Sequence, residues 1–192
     1  ANYAGTLSVR DGSFRRYIND ICSSVVSSGF DGLVIVSGHA SADHSLRETG
    51  FWCVNSQFRE GKVTCPVMVS GIYEETALIE REMGLKAGKH ADWRELLLLY
   101  KVLGGDFFTK EKLEAIKEFG RSGEFLSLNY RVLGIPMEHR SLDGVLGDPV
   151  PEEGVDWGEA SDRLWGLVVR SMRDTIEGEL DKFWSMARDL DK

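Results

Sequence analysis

Three cysteines in 192 residues leave sulfur little to do. Cys22, Cys53 and Cys65 are too few and too scattered for a disulfide framework or a thiolate metal cage. Cys22 falls on a helical face and Cys53 beside Trp52, so buried free thiols, and with them a reducing cytoplasm, are the expectation. No apolar run approaches the roughly 18 residues that a transmembrane helix requires, and no signal peptide shows at the start. Positive charge is also short: 23 Lys and Arg against 31 Asp and Glu leave a net charge of −8. That sign repels nucleic acid and anionic membrane, and no basic face offsets it. The glycines of "SGHAS" (37–41) have no Lys-Ser/Thr pair after them, which disfavours nucleotide hydrolysis. Internal repeats, low-complexity tracts and interdomain linkers are lacking too, so residues 1–192 are expected to form one domain.

What is present suits a folded domain. Hydrophobic content is 42% and charged content 28%, enough for a full core. Asp11, Gly12 and Ser13 offer capping groups ahead of Phe14, Tyr17, Ile18, Ile21, Cys22 and Val25, a helical stripe closed by Gly29. "GLVIVSG" (32–38) is a continuous apolar run bounded by glycine, the pattern of a strand buried on both faces. A second helix is expected over 43–60, with Leu46, Val54 and Phe58 inward and Gly50 as its weak point. "PVMVSGI" (66–72) predicts another buried strand, and helices are predicted over 73–84, after His90, and over 109–120 with a Thr cap. A last long helix over 158–189 carries Leu164, Leu167, Val168, Met172, Ile176, Leu180 and Phe183 at helical spacing. Helix followed by buried strand, repeated, predicts an α/β fold, a three-layer α/β/α sandwich around a mainly parallel sheet.

Histidine is rare enough to be informative. His39 follows the first predicted strand at its carboxyl end, where open parallel sheets place their ligands, and it can offer a nitrogen to a metal. Helix capping or plain exposure is the rival role. In "GKHADWRELLLLYKV" (88–102), His90 and Glu95 stand five apart across a helix start. Their side chains can converge there, although a glutamate at a helix N-terminus suits the helix dipole with no further role. Asp43 and His44 read as a first-turn acid and a solvated imidazole, with ligation the alternative. His139 reads as a loop residue. Trp93, Trp52 and Tyr73 are core or pocket walls.

Together, "AGTLSVRDGSF", "GFDGLVIVSGHAS", "HADWRE" and "DGVLGDP" resemble, in order and approximate spacing, the creatininase family. That family includes creatinine amidohydrolases, deformylases of formylamino-pyrimidine nucleotides and a peptidase maturing a redox-cofactor peptide. The resemblance implies a creatininase-like fold and one or two divalent ions (Zn, Mn or Fe). It implies a metal-dependent amidohydrolase cleaving a non-peptide or cyclic C–N amide bond in a small molecule. His39 matches the family's metal-binding histidine, with Ser37 in place of the usual Asn. His90 matches a proton-shuttling histidine, and Glu95 a glutamate that ligates or supports the metal. Asp92 replaces the usual Gly of that motif and Leu96 its usual Thr. Ser41 stands where creatininases proper carry a metal-binding glutamate. Ser41 and Trp93 are the residues expected along a substrate pocket, and the lack of a Trp in "GLKAGK" (84–89) argues against creatinine itself.

Family members also open with a strand and loop that supply Glu, His and a bridging Asp. No matching segment stands in these residues, and "ANYAGTLSV" reads like the run into a strand. The expectation is therefore a carboxyl-terminal portion whose missing acids come from a separate amino-terminal chain or have been lost. Homo-oligomeric assembly is implied by the resemblance. The alternative function is a non-catalytic binding or scaffold subunit that retains the fold, as Ser37, Ser41 and Asp92 would suit.

Overall fold

The computed structural model describes residues 7–61, 65–72, 76–85, 90–117, 148–151 and 154–190, by backbone alone at 40, 41, 76 and 186–190. Two compact units share the chain. One comprises Ala1–Ser8 and Thr76–Leu167, the other Val9–Glu75 and Val168–Lys192.

The second of these holds the strands. Helix α1 (Asp11–Ser27) leads to β1 (Leu33–Ser37), α2 (Ala40–Arg59) and β2 (Val67–Gly71). The strands pair in parallel, Leu33 opposite Val67 through Ser37 opposite Gly71. The Leu33 N–H bonds to the Pro66 carbonyl at 2.9 Å and the Ile72 N–H to the Ser37 carbonyl at 3.0 Å. Parallel neighbours need a crossover between them, and α2 is that crossover. The sequence pattern predicted β1 to be buried on both faces. Instead Val36 is 53% exposed and Leu33, Val34 and Ile35 are half-buried; within this unit α1 and α2 pack on the strand.

Helix α2 starts earlier than expected and buries Leu46 as predicted, but Val54 is only half-buried and the rest of its inner face differs. Its buried positions are Ser45, Leu46, Thr49, Gly50, Cys53 and Gln57, at spacings of three and four. Phe58, expected inside, is 72% exposed, since it lies one position past that stripe and so about 100° around the helix. The polar members of the stripe are satisfied locally: Thr49 Oγ1 donates to the Ser45 carbonyl at 2.8 Å. Gln57 brackets residue 65, donating from Nε2 to the Cys65 carbonyl at 2.7 Å while its Oε1 accepts the Cys65 N–H at 2.9 Å. Gly50 lets the sheet approach closely, because a Cβ there would lie 3.2 Å from Val67 Cγ1.

Asp11 was expected to cap α1. It lies instead within the first turn, where it accepts hydrogen bonds from Arg15 Nε at 2.7 Å and from Ser45 Oγ at 2.6 Å, tying α1 to α2. The Ser45 hydroxyl foremost, with the Arg15 guanidinium, holds its carboxyl below the usual aspartate range. All three cysteines are buried and free, as read from sequence. Burial pushes the Cys22 thiol up to about 11, with Cys53 adding to the shift, and raises Cys53 and Cys65 as well.

The other unit is helical among the described residues. Helices α3 (Thr76–Met83), α4 (Trp93–Leu103) and α5 (Lys110–Lys117) belong to it, with a 3-10 turn at Gly105–Phe107. So does the first part of α6 (Trp157–Leu190). Helix α5 starts with the expected Thr cap, the Lys112 N–H reaching Thr109 Oγ1 at 3.4 Å. Tyr100 of α4 stacks on Phe108 at 5.3 Å between ring centroids and meets Trp157 edge-on at 5.8 Å. Along α6, Leu164, Leu167 and Val168 are buried and Met172, Ile176, Leu180 and Phe183 half-buried, as the spacing predicted. Among the described residues no helix is long and apolar enough to cross a membrane.

Candidate functional site

His39 sits where β1 hands over to α2. It is the last extended residue before the helix, with φ −139° and ψ 108°, and its carbonyl accepts the Ala42 N–H at 2.9 Å. The buried Ser37 donates its hydroxyl to the same carbonyl at 3.2 Å. Ser37 thus fixes the backbone of His39, leaving the residue exposed. Four residues on, Asp43 keeps its Oδ1 buried with no hydrogen-bond partner among the described residues, and its Oδ2 lies 3.8 Å from Arg47. A buried acceptor left in that state calls for an explanation, and a cation is one. Ser41 lies in the first turn of α2 with its side chain outside the described atoms.

His90 and Glu95 belong to the other unit, on either side of the start of α4. Ala91 takes φ 51°, the left-handed region that costs a side-chain-bearing residue about 1 kcal/mol or more. Asp92 returns to φ −87° and caps the helix, accepting the Arg94 N–H at 3.0 Å. Glu95 Oε1 accepts the N–H of the peptide joining His90 to Ala91 at 3.0 Å. An N-cap acid followed three residues later by a glutamate that reaches back is a capping-box pattern, here displaced by one peptide. Its effect is to lay the Glu95 carboxylate against the backbone that carries the half-buried His90.

What holds this turn was missed at the sequence level. Asp92 is 1% exposed and Arg94 7%, and the two form a fork. Arg94 Nε lies 2.9 and 3.1 Å from the two carboxylate oxygens, and its NH2 group lies 2.7 Å from one. The Trp93 N–H bonds to the Asp148 carbonyl at 3.0 Å, which joins the "HADWRE" and "GDP" segments. The Asp-x-x-Glu spacing is the signal that could have found the cap. Nothing in the sequence signalled that Arg94 turns inward, or that Asp148 meets Trp93. Trp93 itself is 3% exposed, buried with Leu97 one turn later on the inner face of α4. Trp52 is half exposed, while Tyr73 and His139 lie outside the described residues.

The donor types suit a divalent ion: imidazole and carboxylate are ligands for zinc, manganese and iron alike. His39 is fixed at a strand end, Asp43 holds a carboxylate oxygen unpartnered among the described residues, and Glu95 commits one oxygen to a backbone N–H. Among the described residues, no three His, Cys, Asp or Glu form a group that could hold a metal. They provide donors, then, and not a coordination sphere.

Comparison with known proteins follows the same lines. The profile of the creatininase family, described as creatinine amidohydrolase, matches residues 1–164. No curated protein matches the chain. Similar solved structures include one described as "Creatininase Mn", at 16% identity and a TM-score of 0.69, covering 93% of this chain and 68% of that one. A substituted creatininase complexed with creatine gives the same identity, coverage and TM-score. A crystal structure of creatinine amidohydrolase (creatininase) covers the same share of this chain and 67% of its own, with a TM-score of 0.67. The fold is α/β and creatininase-like. With most of its length inside the family profile, the chain belongs to the creatininase family.

Proposed function

We propose that this chain serves a metal-dependent amidohydrolase cleaving a non-peptide or cyclic C–N amide bond in a small molecule. The observation that carries the reading is the turn before α4, where a histidine and a glutamate of the family motif are held by one peptide. In this reading the protein uses one or two divalent ions, with zinc, manganese and iron as candidates; His39 and Asp43 offer donors in the strand-bearing unit and Glu95 offers one in the other. Such an ion would supply positive charge and lower the pKa of a water it holds toward about 7. His90 carries a proton to the leaving nitrogen, a step worth about a hundredfold or more when the group is well placed. Ser41 remains a pocket candidate, while the burial of Trp93 beside Leu97 favours its core role. Homo-oligomeric assembly belongs to the same proposal.

A second reading has its own support. Asp92 is wholly engaged by Arg94, and Glu95 caps a backbone N–H, so both acids of the segment have structural work. That suits a scaffold subunit that kept the fold.

Metal content and turnover separate the two. Stoichiometric zinc, manganese or iron in the purified protein, lost in His39→Ala, together with hydrolysis of cyclic or N-formyl amides, would support the enzyme. Near-full turnover in His90→Ala would remove the proton-carrying role. Metal-free protein that hydrolyses none of these amides would favour the scaffold.

A further inference from the structure

We infer that the buried Asp92–Arg94 pair is a positioning device for His90. The inference rests on the proposed role of His90, and its test is arranged so that the two can fail separately.

A glycine at position 92 would leave the turn free to choose its own backbone. Here a carboxylate stands instead, 1% exposed, and it touches the turn three times. It accepts the Arg94 N–H at 3.0 Å, and it takes the guanidinium of the same residue through Nε and the NH2 group, at 2.9 and 2.7 Å. Its own carbonyl starts the helix, accepting the Glu95 N–H at 3.1 Å and the Leu96 N–H at 3.3 Å. A planar guanidinium gripping a carboxylate admits one orientation, so the plane of Asp92 is set by Arg94. The next N–H, that of Trp93, is taken by the Asp148 carbonyl.

With residues 92, 93 and 94 each tied down, the freedom left in the segment lies at Ala91, and that residue is in the left-handed region. Strained backbone persists where its surroundings over-determine it. The Glu95 carboxylate closes the arrangement on the peptide between His90 and Ala91. The imidazole therefore leaves the chain from a backbone that the ion pair has fixed. Asp92 and Arg94 act through His90 and are positioning residues, not reacting groups.

The test uses the full chain with Asp92→Ala, Asp92→Asn and Arg94→Lys. Backbone amide exchange at Ala91 and Arg94 and the ring resonances of His90 are followed by NMR, with the thermal midpoint recorded for each variant. Asp92→Asn keeps an acceptor for the Arg94 N–H but loses the charge, so it serves if Asp92→Ala does not fold. Both should speed exchange at Ala91 by about tenfold or more and move the His90 ring signals, the Asn variant less. Arg94→Lys should do the same, because an ammonium cannot form the fork. Where an amide substrate is turned over, kcat should fall with little change in KM, and Asn should restore part of it. Unchanged Ala91 exchange and His90 signals in folded Asp92→Asn and Arg94→Lys would overturn the inference. A wild-type chain that hydrolyses nothing would overturn the functional reading, while exchange and ring signals still decide this one.

Discussion

Glu95 is where the enzyme and scaffold readings make opposite demands on one side chain, and two substitutions separate them. Its Oε1 accepts the N–H of the His90–Ala91 peptide at 3.0 Å on an exposed surface. Glutamine keeps a carbonyl oxygen at the same reach, so the cap survives Glu95→Gln and stability should change by less than about 0.5 kcal/mol. Alanine removes the acceptor, and because water can replace it at an exposed site the loss should be about 1 kcal/mol. In a chain of this size that is about 2–4 °C in thermal midpoint. A metal ligand obeys another rule: a neutral amide is a far poorer donor than a carboxylate. Since outer-shell partners of ligands already cost about 10–100-fold in affinity or activity, Glu95→Gln should lose at least that much metal affinity or turnover. Calorimetric melts and metal titration on both variants decide the matter. If Glu95→Gln keeps full metal binding and turnover, Glu95 is a cap and no ligand.

Two further predictions concern the strand-bearing unit. Gln57→Leu leaves the buried N–H and carbonyl of Cys65 without the side chain that satisfies both, at about 1–3 kcal/mol for each group. The midpoint in urea should report a loss of about 3 kcal/mol, and a loss below about 1 kcal/mol would mean that other groups satisfy them. The Cys22 thiol ionises at 9.0 unfolded and is pushed up to about 11 in the fold, so the folded state holds its proton longer. The stability from that thiol is whole below pH 9 and is lost as pH rises from there through about 11. Urea melts across that window should show a steeper decline in the wild type than in Cys22→Ala. Parallel declines would refute the assignment.

Much of the helical layout was legible because apolar spacing is a direct image of burial. The α6 positions from Leu164 to Phe183 fell where the period put them, and both strands lay within a residue or so of their predicted runs. Helix α2 shows where that signal stops. Its inner face is built of Ser45, Thr49, Gly50 and Gln57 around Leu46 and Cys53, and a hydrophobic pattern cannot see serine and glutamine that find their partners only after folding. Phe58 was placed inside by its chemistry and lies outside by its angle. Gly50 looked like a flaw in the helix and is what lets Val67 come near.

The candidate site divides along the same line. His39, His90 and Glu95 could be named from the motif because they are single positions in short segments. What holds them could not be named, because Arg94 reaches back two residues and Asp148 comes from a distant part of the chain. A cap and a ligand draw on the same atoms of a carboxylate, so sequence alone cannot rank the two roles for Glu95. Asp92 makes the point from the other side. Its burial would be costly for an unpaired charge, and Arg94 offsets that cost by gripping it, which leaves neither side chain free for a substrate. A helix start fastened so tightly is more than α4 needs to begin, since an Asp cap alone would suffice. The excess constraint falls on the one peptide that bears His90, and this is the physical reason to look for chemistry there.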